Sequence, residues 1–80
     1  MLVHVILEDL SALNDTPSYV HTAAFVDLVD ASHYVSEAAK RTIKETENRD
    51  LTLEYLAYKV NVLHKGAWVG AFEIQVVDIQ

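Results

Sequence analysis

Two strand-forming runs on either side of a single glycine constrain the fold of this chain most. Residues 51–63 and 67–79 are rich in Val, Leu, Ile and aromatic side chains, and Gly66 lies between them. β-branched and aromatic residues favour strands, and glycine favours the turn that joins two of them. The pattern therefore predicts an antiparallel β-hairpin in the C-terminal part of the chain.

The register of this hairpin depends on the length of its turn. A two-residue turn at Lys65-Gly66 sets Lys59 opposite Phe72, which places a charge on the best apolar stripe. A three-residue loop over residues 64–66 keeps Gly66 at a left-handed position and aligns apolar residues instead. We therefore predict the three-residue loop. Its pairs are Val62 with Trp68, Tyr58 with Phe72, and Leu56 with Ile74.

Alternation along these strands divides the side chains between two faces. We expect Tyr58, Trp68 and Phe72 to lie in the core. The opposite face should be mostly polar, with Ala57, Lys59, Asn61, Glu73 and Gln75. Five apolar residues project away from the core and make that face more apolar than water requires, so they are predicted as a protein interface. They are Leu53, Tyr55, Leu63, Val69 and Val77.

The middle of the chain predicts an amphipathic helix over residues 30–47. Apolar positions recur at helical spacing, and polar residues occupy the other side. Asp30 suits the N-cap, Asn48 suits the left-handed closing position, and Glu37 can pair with Arg41 one turn later. The apolar positions are Ala31, Tyr34, Val35, Ala38, Thr42 and Ile43.

Residues 16–29 fit either a strand or a helix, and the strand is preferred. Thr16-Pro17-Ser18 resembles a helix start. A helix over 17–47, however, would lack strong helix formers in its first half and would expose together Phe25, Val26 and Val29. With an opening strand over 2–8, the prediction is an α+β domain. Its element order is ββαββ, with βααββ as the alternative, and a small antiparallel sheet packs on one amphipathic helix.

Length and composition limit the classes of protein that this chain can belong to. Eighty residues make one domain, and the absence of cysteine excludes disulfides, thiolate metal sites and thiol catalysis. A small domain with 51% hydrophobic residues favours self-association, so a homodimer is expected. Neither a secretory leader nor a membrane span is recognisable, which makes a cytoplasmic location the expectation.

Charge is distributed unevenly along the chain. The formal net charge of −6 arises entirely within residues 1–39, which contain no Lys or Arg. Direct nucleic-acid binding is therefore disfavoured, because it depends on basic residues at the phosphates. We expect instead a protein partner with a basic surface. The predicted acidic binding residues are Glu8, Asp9, Asp15, Asp27, Asp30 and Glu37.

Three sets of residues have the types needed for chemistry. Asp30, His33 and Glu37 share one helix face and could hold a metal ion, although capping and ion pairing explain the two acids equally well. Ser32 next to His33 lacks the geometry of a nucleophile and its base, and Glu8-Asp9 fits a solvated loop end. No glycine-rich phosphate loop is present, so no cofactor is predicted.

The functional hypothesis is a small acidic protein-binding module without catalysis. In its sharpest form the acidic half imitates a nucleic-acid backbone and inhibits a basic or nucleic-acid-binding partner. One alternative is a small metal-dependent or acid-base enzyme that uses Asp30, His33 and Glu37. The other is a subunit of a larger assembly that docks through strand edges and its second apolar face.

Overall fold

The chain forms two strands, one helix and three further strands. The computed structural model describes residues 1–14, 17–46 and 50–80. Its elements are β1 (Leu2–Asp9), β2 (Val20–Phe25), α1 (Leu28–Glu45), β3 (Leu51–Leu56), β4 (Lys59–His64) and β5 (Ala67–Asp78). The strands make one antiparallel sheet in the order β2-β1-β5-β4-β3. The predicted α+β class, with an antiparallel sheet on one helix, is confirmed, as is the strand preferred within residues 16–29.

The predicted strand over residues 51–63 is in fact two strands. Ala57 and Tyr58 form a tight turn, and Leu56 at the end of β3 pairs with Lys59 at the start of β4. This turn contains neither glycine nor proline, so its residues gave no indication of a turn in the sequence. The sheet consequently has one strand more than predicted, and β3 becomes its edge.

The turn between β4 and β5 is also shorter than predicted. Lys65 and Gly66 have φ values of 52° and 84°, which is the left-handed backbone of a two-residue hairpin turn, and His64 pairs directly with Ala67. The predicted three-residue loop is therefore wrong. A β-bulge beyond Val62 then shifts the register by one residue.

This bulge restores the separation of polar and apolar side chains that a regular two-residue turn would destroy. Val60 faces Phe72, and Lys59 faces Glu73 on the other side of the sheet. Phe72 is in the core as predicted, whereas Tyr58 and Trp68 are 46% and 45% exposed. The expectation that Tyr58 and Trp68 are core residues is therefore wrong, because the bulge and the extra turn change their positions.

Helix α1 begins at Leu28, two residues earlier than its predicted start. Asp27, not Asp30, is the N-cap, and its carboxylate accepts a hydrogen bond of 2.8 Å from the backbone N–H of Val29. Asp30 lies in the first turn instead, where an acid is favoured by the helix dipole. Thr46 caps the other end, and the predicted closing residue Asn48 lies outside the described residues.

The core lies between α1 and one face of the sheet. Val35 and Ala39 of the helix pack with Ile6 of β1 and Phe72 of β5, and all four are buried. Members of the core are Ile6, Leu10, Ala31, Val35, Ala38, Ala39, Val60, Val62, Phe72 and Ile74. Among the described residues, no helical segment combines the length and the hydropathy of a membrane span.

Candidate functional site

The clearest candidate site is a groove between one flank of α1 and the edge strand β2. One stripe along the helix consists of residues that each lie three or four positions from another member: Asp30, His33, Tyr34, Glu37 and Arg41. Phe25 of β2 projects toward them, since it pairs with His4 on the helix side of the sheet. We call this groove the flank pocket, and its volume is about 310 Å³. Its lining residues are Phe25, Asp30, His33, Tyr34, Glu37 and Arg41.

Two aromatic rings form the apolar part of the flank pocket. The ring centroids of Phe25 and Tyr34 are 5.4 Å apart at an interplanar angle of 49°, a tilted arrangement that aromatic pairs favour. Both side chains are half-buried, and both contact the main core. The rings are therefore held by the fold and leave part of their surface to the pocket.

Charged groups surround these rings. Asp30 and Glu37 supply two carboxylates, and both residues are exposed. Glu37 lies 3.6 Å from the ammonium group of Lys40, not against Arg41 as predicted. Because both partners of this ion pair are largely exposed, it contributes no more than about 0.5 kcal/mol and is easily exchanged.

Glu8 of β1 lies near the C-terminal half of α1, within reach of the charges of Arg41 and Glu45. Burial raises the pKa of the Glu8 carboxyl above its ordinary value, while Arg41 lowers it and Glu45 raises it further. Arg41 thus interacts electrostatically with Glu8 and also lines the flank pocket. Glu8 also lines a separate cavity of about 290 Å³, together with Leu10, Asn14, Pro17, Val20 and Thr22.

Of the six predicted acidic residues, the five that the structure describes do not form one surface. Asp30 and Glu37 both line the flank pocket, whereas Glu8 lines a different cavity. Asp27 is used as the helix cap. Asp9 is buried, and its carboxylate accepts hydrogen bonds from the backbone N–H (3.1 Å) and hydroxyl (2.6 Å) of Ser11. Asp15 lies outside the described residues.

The residues proposed for chemistry are only partly brought together. Asp30, His33 and Glu37 share a pocket, yet among the described residues no three His, Cys, Asp or Glu side chains are grouped closely enough to hold a metal ion. Ser32 lines a different, smaller cavity from His33. Glu8 and Asp9, as neighbours on one strand, project to opposite faces of the sheet.

The second face of the sheet is not covered by the helix, and we call it the open face. Both apolar and polar side chains lie on it. The indole N–H of Trp68 donates to the Asn61 side chain at 3.1 Å, and the Asn61 amide donates to Glu54 at 2.9 Å. These two hydrogen bonds link the side chains of three neighbouring strands, β5, β4 and β3.

The five predicted interface residues are divided between the two faces. Leu63 pairs with Trp68 and Val77 pairs with Val3, which places Leu63 and Val77 on the open face. Leu53 and Val69 instead pack against the core. Tyr55 lies on the helix side beside α1, where it is 56% exposed. The five residues therefore do not share one face as predicted, because the Ala57–Tyr58 turn and the bulge reverse the parity of these strands.

Several residues of the candidate sites were missed by sequence reasoning. Phe25 and Tyr34 were not paired with one another, since their contact depends on how β2 lies against α1. The stripe from Asp30 to Arg41 was readable from its spacing, and its two acids were named. Comparisons with protein families, with characterised proteins and with solved structures gave no match for this chain.

Proposed function

We propose that this chain is a small acidic protein-binding module, without catalysis of its own, that receives a basic side chain of a protein partner in the flank pocket. The observation that carries the proposal is the combination of two aromatic rings with the carboxylates of Asp30 and Glu37 around one cavity. Lysine and arginine are the side chains with matching chemistry. The net charge of −6 favours the same partners at long range.

Each part of a basic side chain has a counterpart in the pocket. Its hydrocarbon stem can cover the half-buried rings of Phe25 and Tyr34, as long basic side chains do on apolar surfaces. Its cationic end can approach the ring of Tyr34 and the carboxylate of Asp30. Glu37 can exchange its exposed partner Lys40 for the incoming cation.

The geometry favours recognition of single basic side chains over imitation of a nucleic acid. A nucleic-acid mimic needs a row of free carboxylates at the spacing of phosphates. Asp9 is buried and hydrogen-bonded, and Asp27 caps the helix, so neither is free for such a row. Inhibition of a basic partner remains a consequence of the proposal wherever the captured side chain is one that the partner needs.

The experiment is a binding titration with a fluorescent hexa-arginine peptide, followed by amide NMR on the labelled protein. We expect shifts centred on Phe25, Tyr34 and the first half of α1, and an affinity that falls as salt rises. The Asp30→Asn/Glu37→Gln double variant should bind about tenfold more weakly or worse, since two charge-assisted contacts are lost.

Asp50→Asn/Glu73→Gln is the matched control, because it removes the same formal charge from exposed or half-exposed positions away from the pocket. It should retain affinity within about twofold. Tyr34→Leu tests the contribution of the aromatic ring by itself, because it removes the ring at constant net charge. This variant should weaken binding several-fold. Equal losses in the pocket and control double variants would mean that only total charge matters, and the proposal would fail.

A further inference from the structure

Strand β5 is longer than the neighbour that covers one of its edges. It has twelve residues, but the register with β4 ends where Lys59 faces Glu73, and the last backbone bond runs from the Ile74 N–H to the Tyr58 carbonyl at 2.8 Å. Beyond Ile74, no strand among the described residues lies on this side of β5. β1 continues along the other side as far as Asp78.

The direction of the backbone groups on this edge follows from two hydrogen bonds. The Ile74 N–H points toward β4, and the Ile79 N–H donates to the Met1 carbonyl on the β1 side at 2.8 Å. Backbone groups alternate in direction along a strand. The N–H and C=O groups of Val76 and Asp78 therefore point away from β1. We call residues 76–78 the free edge.

We propose that the free edge pairs antiparallel with the free edge of a second copy of this chain, about a twofold axis at Val77. In this register Val76 of each copy lies opposite Asp78 of the other. Both residues point their backbone groups across the axis, so the two pairs form four N–H···O=C bonds. The same segment meets itself, as a twofold interface requires.

Neighbouring registers form fewer backbone hydrogen bonds across the axis or bring like charges together. With the axis at Val76, Asp78 would lie opposite Ile74, whose N–H is already bonded to Tyr58, and only the Val76 pair remains complete. With the axis at Asp78, two carboxylates would lie opposite one another, which destabilises a strand pair. The axis at Val77 avoids both problems.

The side chains of the free edge suit a contact between identical copies. Val76, Val77 and Ile79 are 45%, 38% and 50% exposed, and pairing removes part of this apolar surface from water. Asp78 is the single charged residue after Glu73, and the Met1 ammonium group lies 3.2 Å from it. Edges that avoid pairing carry charges, prolines or bulges, and this segment has little such protection.

Sedimentation over a wide concentration range tests the pairing. Val76→Pro removes a donor that points to solvent in the single chain and across the axis in the pair, so it should weaken self-association about tenfold or more. Val76→Thr keeps the donor and should associate within about threefold of the wild type. Circular dichroism verifies that both variants keep the strand content of the wild type.

Charge variants at the same position test the register without changing the backbone. Val76→Lys places a cation opposite Asp78 of the other copy and should strengthen association, whereas Val76→Glu should weaken it. Equal effects of the two variants, or a wild-type chain that stays monomeric at the highest concentrations, would overturn the proposal.

Disulfide trapping reports the axis directly, because the natural chain has no cysteine. Val77→Cys places two thiols in a cross-strand pair with Cβ atoms about 5 Å apart. We expect it to form a covalent dimer rapidly under mild oxidation. Thr52→Cys, exposed on the distant edge strand β3, should cross-link at least tenfold more slowly. Equal rates would contradict the proposed axis, and none of these results depends on the flank pocket.

Discussion

The two faces of the sheet differ sharply although the same strands form both. On β5, Phe72 and Ile74 face the helix and are 1% and 6% exposed, while Trp68 and Val77 face outward and remain 45% and 38% exposed. The one helix covers one face of the five-stranded sheet, and no helix or strand of the described residues packs on the other. Burial therefore stabilises the fold on the first face, and the second keeps apolar side chains available for contacts.

The largest expected effect in this comparison is at Phe72. Phe72→Ala removes a buried ring from the centre of the core and should lower the free energy of unfolding by about 3–5 kcal/mol. Trp68→Ala on the open face should lower it by only about 1 kcal/mol. Urea denaturation of both variants measures the difference. Similar losses would mean that the open face contributes as much to the free energy of unfolding as the core does.

A glycine on the helix side of β5 gives the next largest effect. A Cβ at Gly70 would lie 2.9 Å from the Asp9 carbonyl oxygen and 3.0 Å from a Leu10 methyl group. Gly70→Ala should therefore lower the free energy of unfolding by about 1–3 kcal/mol. Gly66→Ala, at φ 84° with open space around it, should lower it by about 1 kcal/mol through backbone strain alone. Thermal unfolding that ranks Gly66→Ala as the worse variant would contradict the close approach at Gly70.

A smaller effect distinguishes two acids at the start of α1. Asp27→Ala removes the N-cap hydrogen bond to Val29 and should lower the free energy of unfolding by about 1 kcal/mol. Asp30→Ala removes only a favourable interaction with the helix dipole and should lower it by about 0.5 kcal/mol. Chemical denaturation at low ionic strength measures both, and the reverse order would mean that Asp30 is the cap.

The smallest effect concerns pH. Burial raises the pKa of Glu8 in the folded chain, so the folded state binds this proton more tightly than the unfolded state does. Stability from this group therefore falls as pH rises from the ordinary carboxyl pKa through the raised one, and it stays lower above that window.

Glu8→Gln should consequently raise the free energy of unfolding at neutral pH, and the gain should shrink as the solution is acidified. The measurement is denaturation of both chains at several pH values. A gain that grows toward acid pH would mean that the charged form of Glu8 is the one that the fold favours.

Helices and strands were predictable wherever the spacing of apolar residues in the sequence matches the side chains that the fold buries. The helical spacing from Ala31 to Thr42 and the alternating run of β5 each pointed to the correct structure. In the candidate site, Asp30 and Glu37 were predicted as binding residues from charge alone, and both line the flank pocket. The approach of Phe25 to Tyr34 was not predictable, since it joins two elements that share no local signal.

By itself, the sequence determined the class of the fold, the stripe of α1 that enters the core and the place, though not the length, of the glycine turn in the last hairpin. These features follow from side-chain periods and from backbone preferences within a few residues. Only the tertiary structure decided the turn at Ala57-Tyr58, the bulge beyond Val62 and the face on which Trp68 lies. One inserted residue reverses every later side chain of a strand, and packing against α1 selects the parity that buries Phe72.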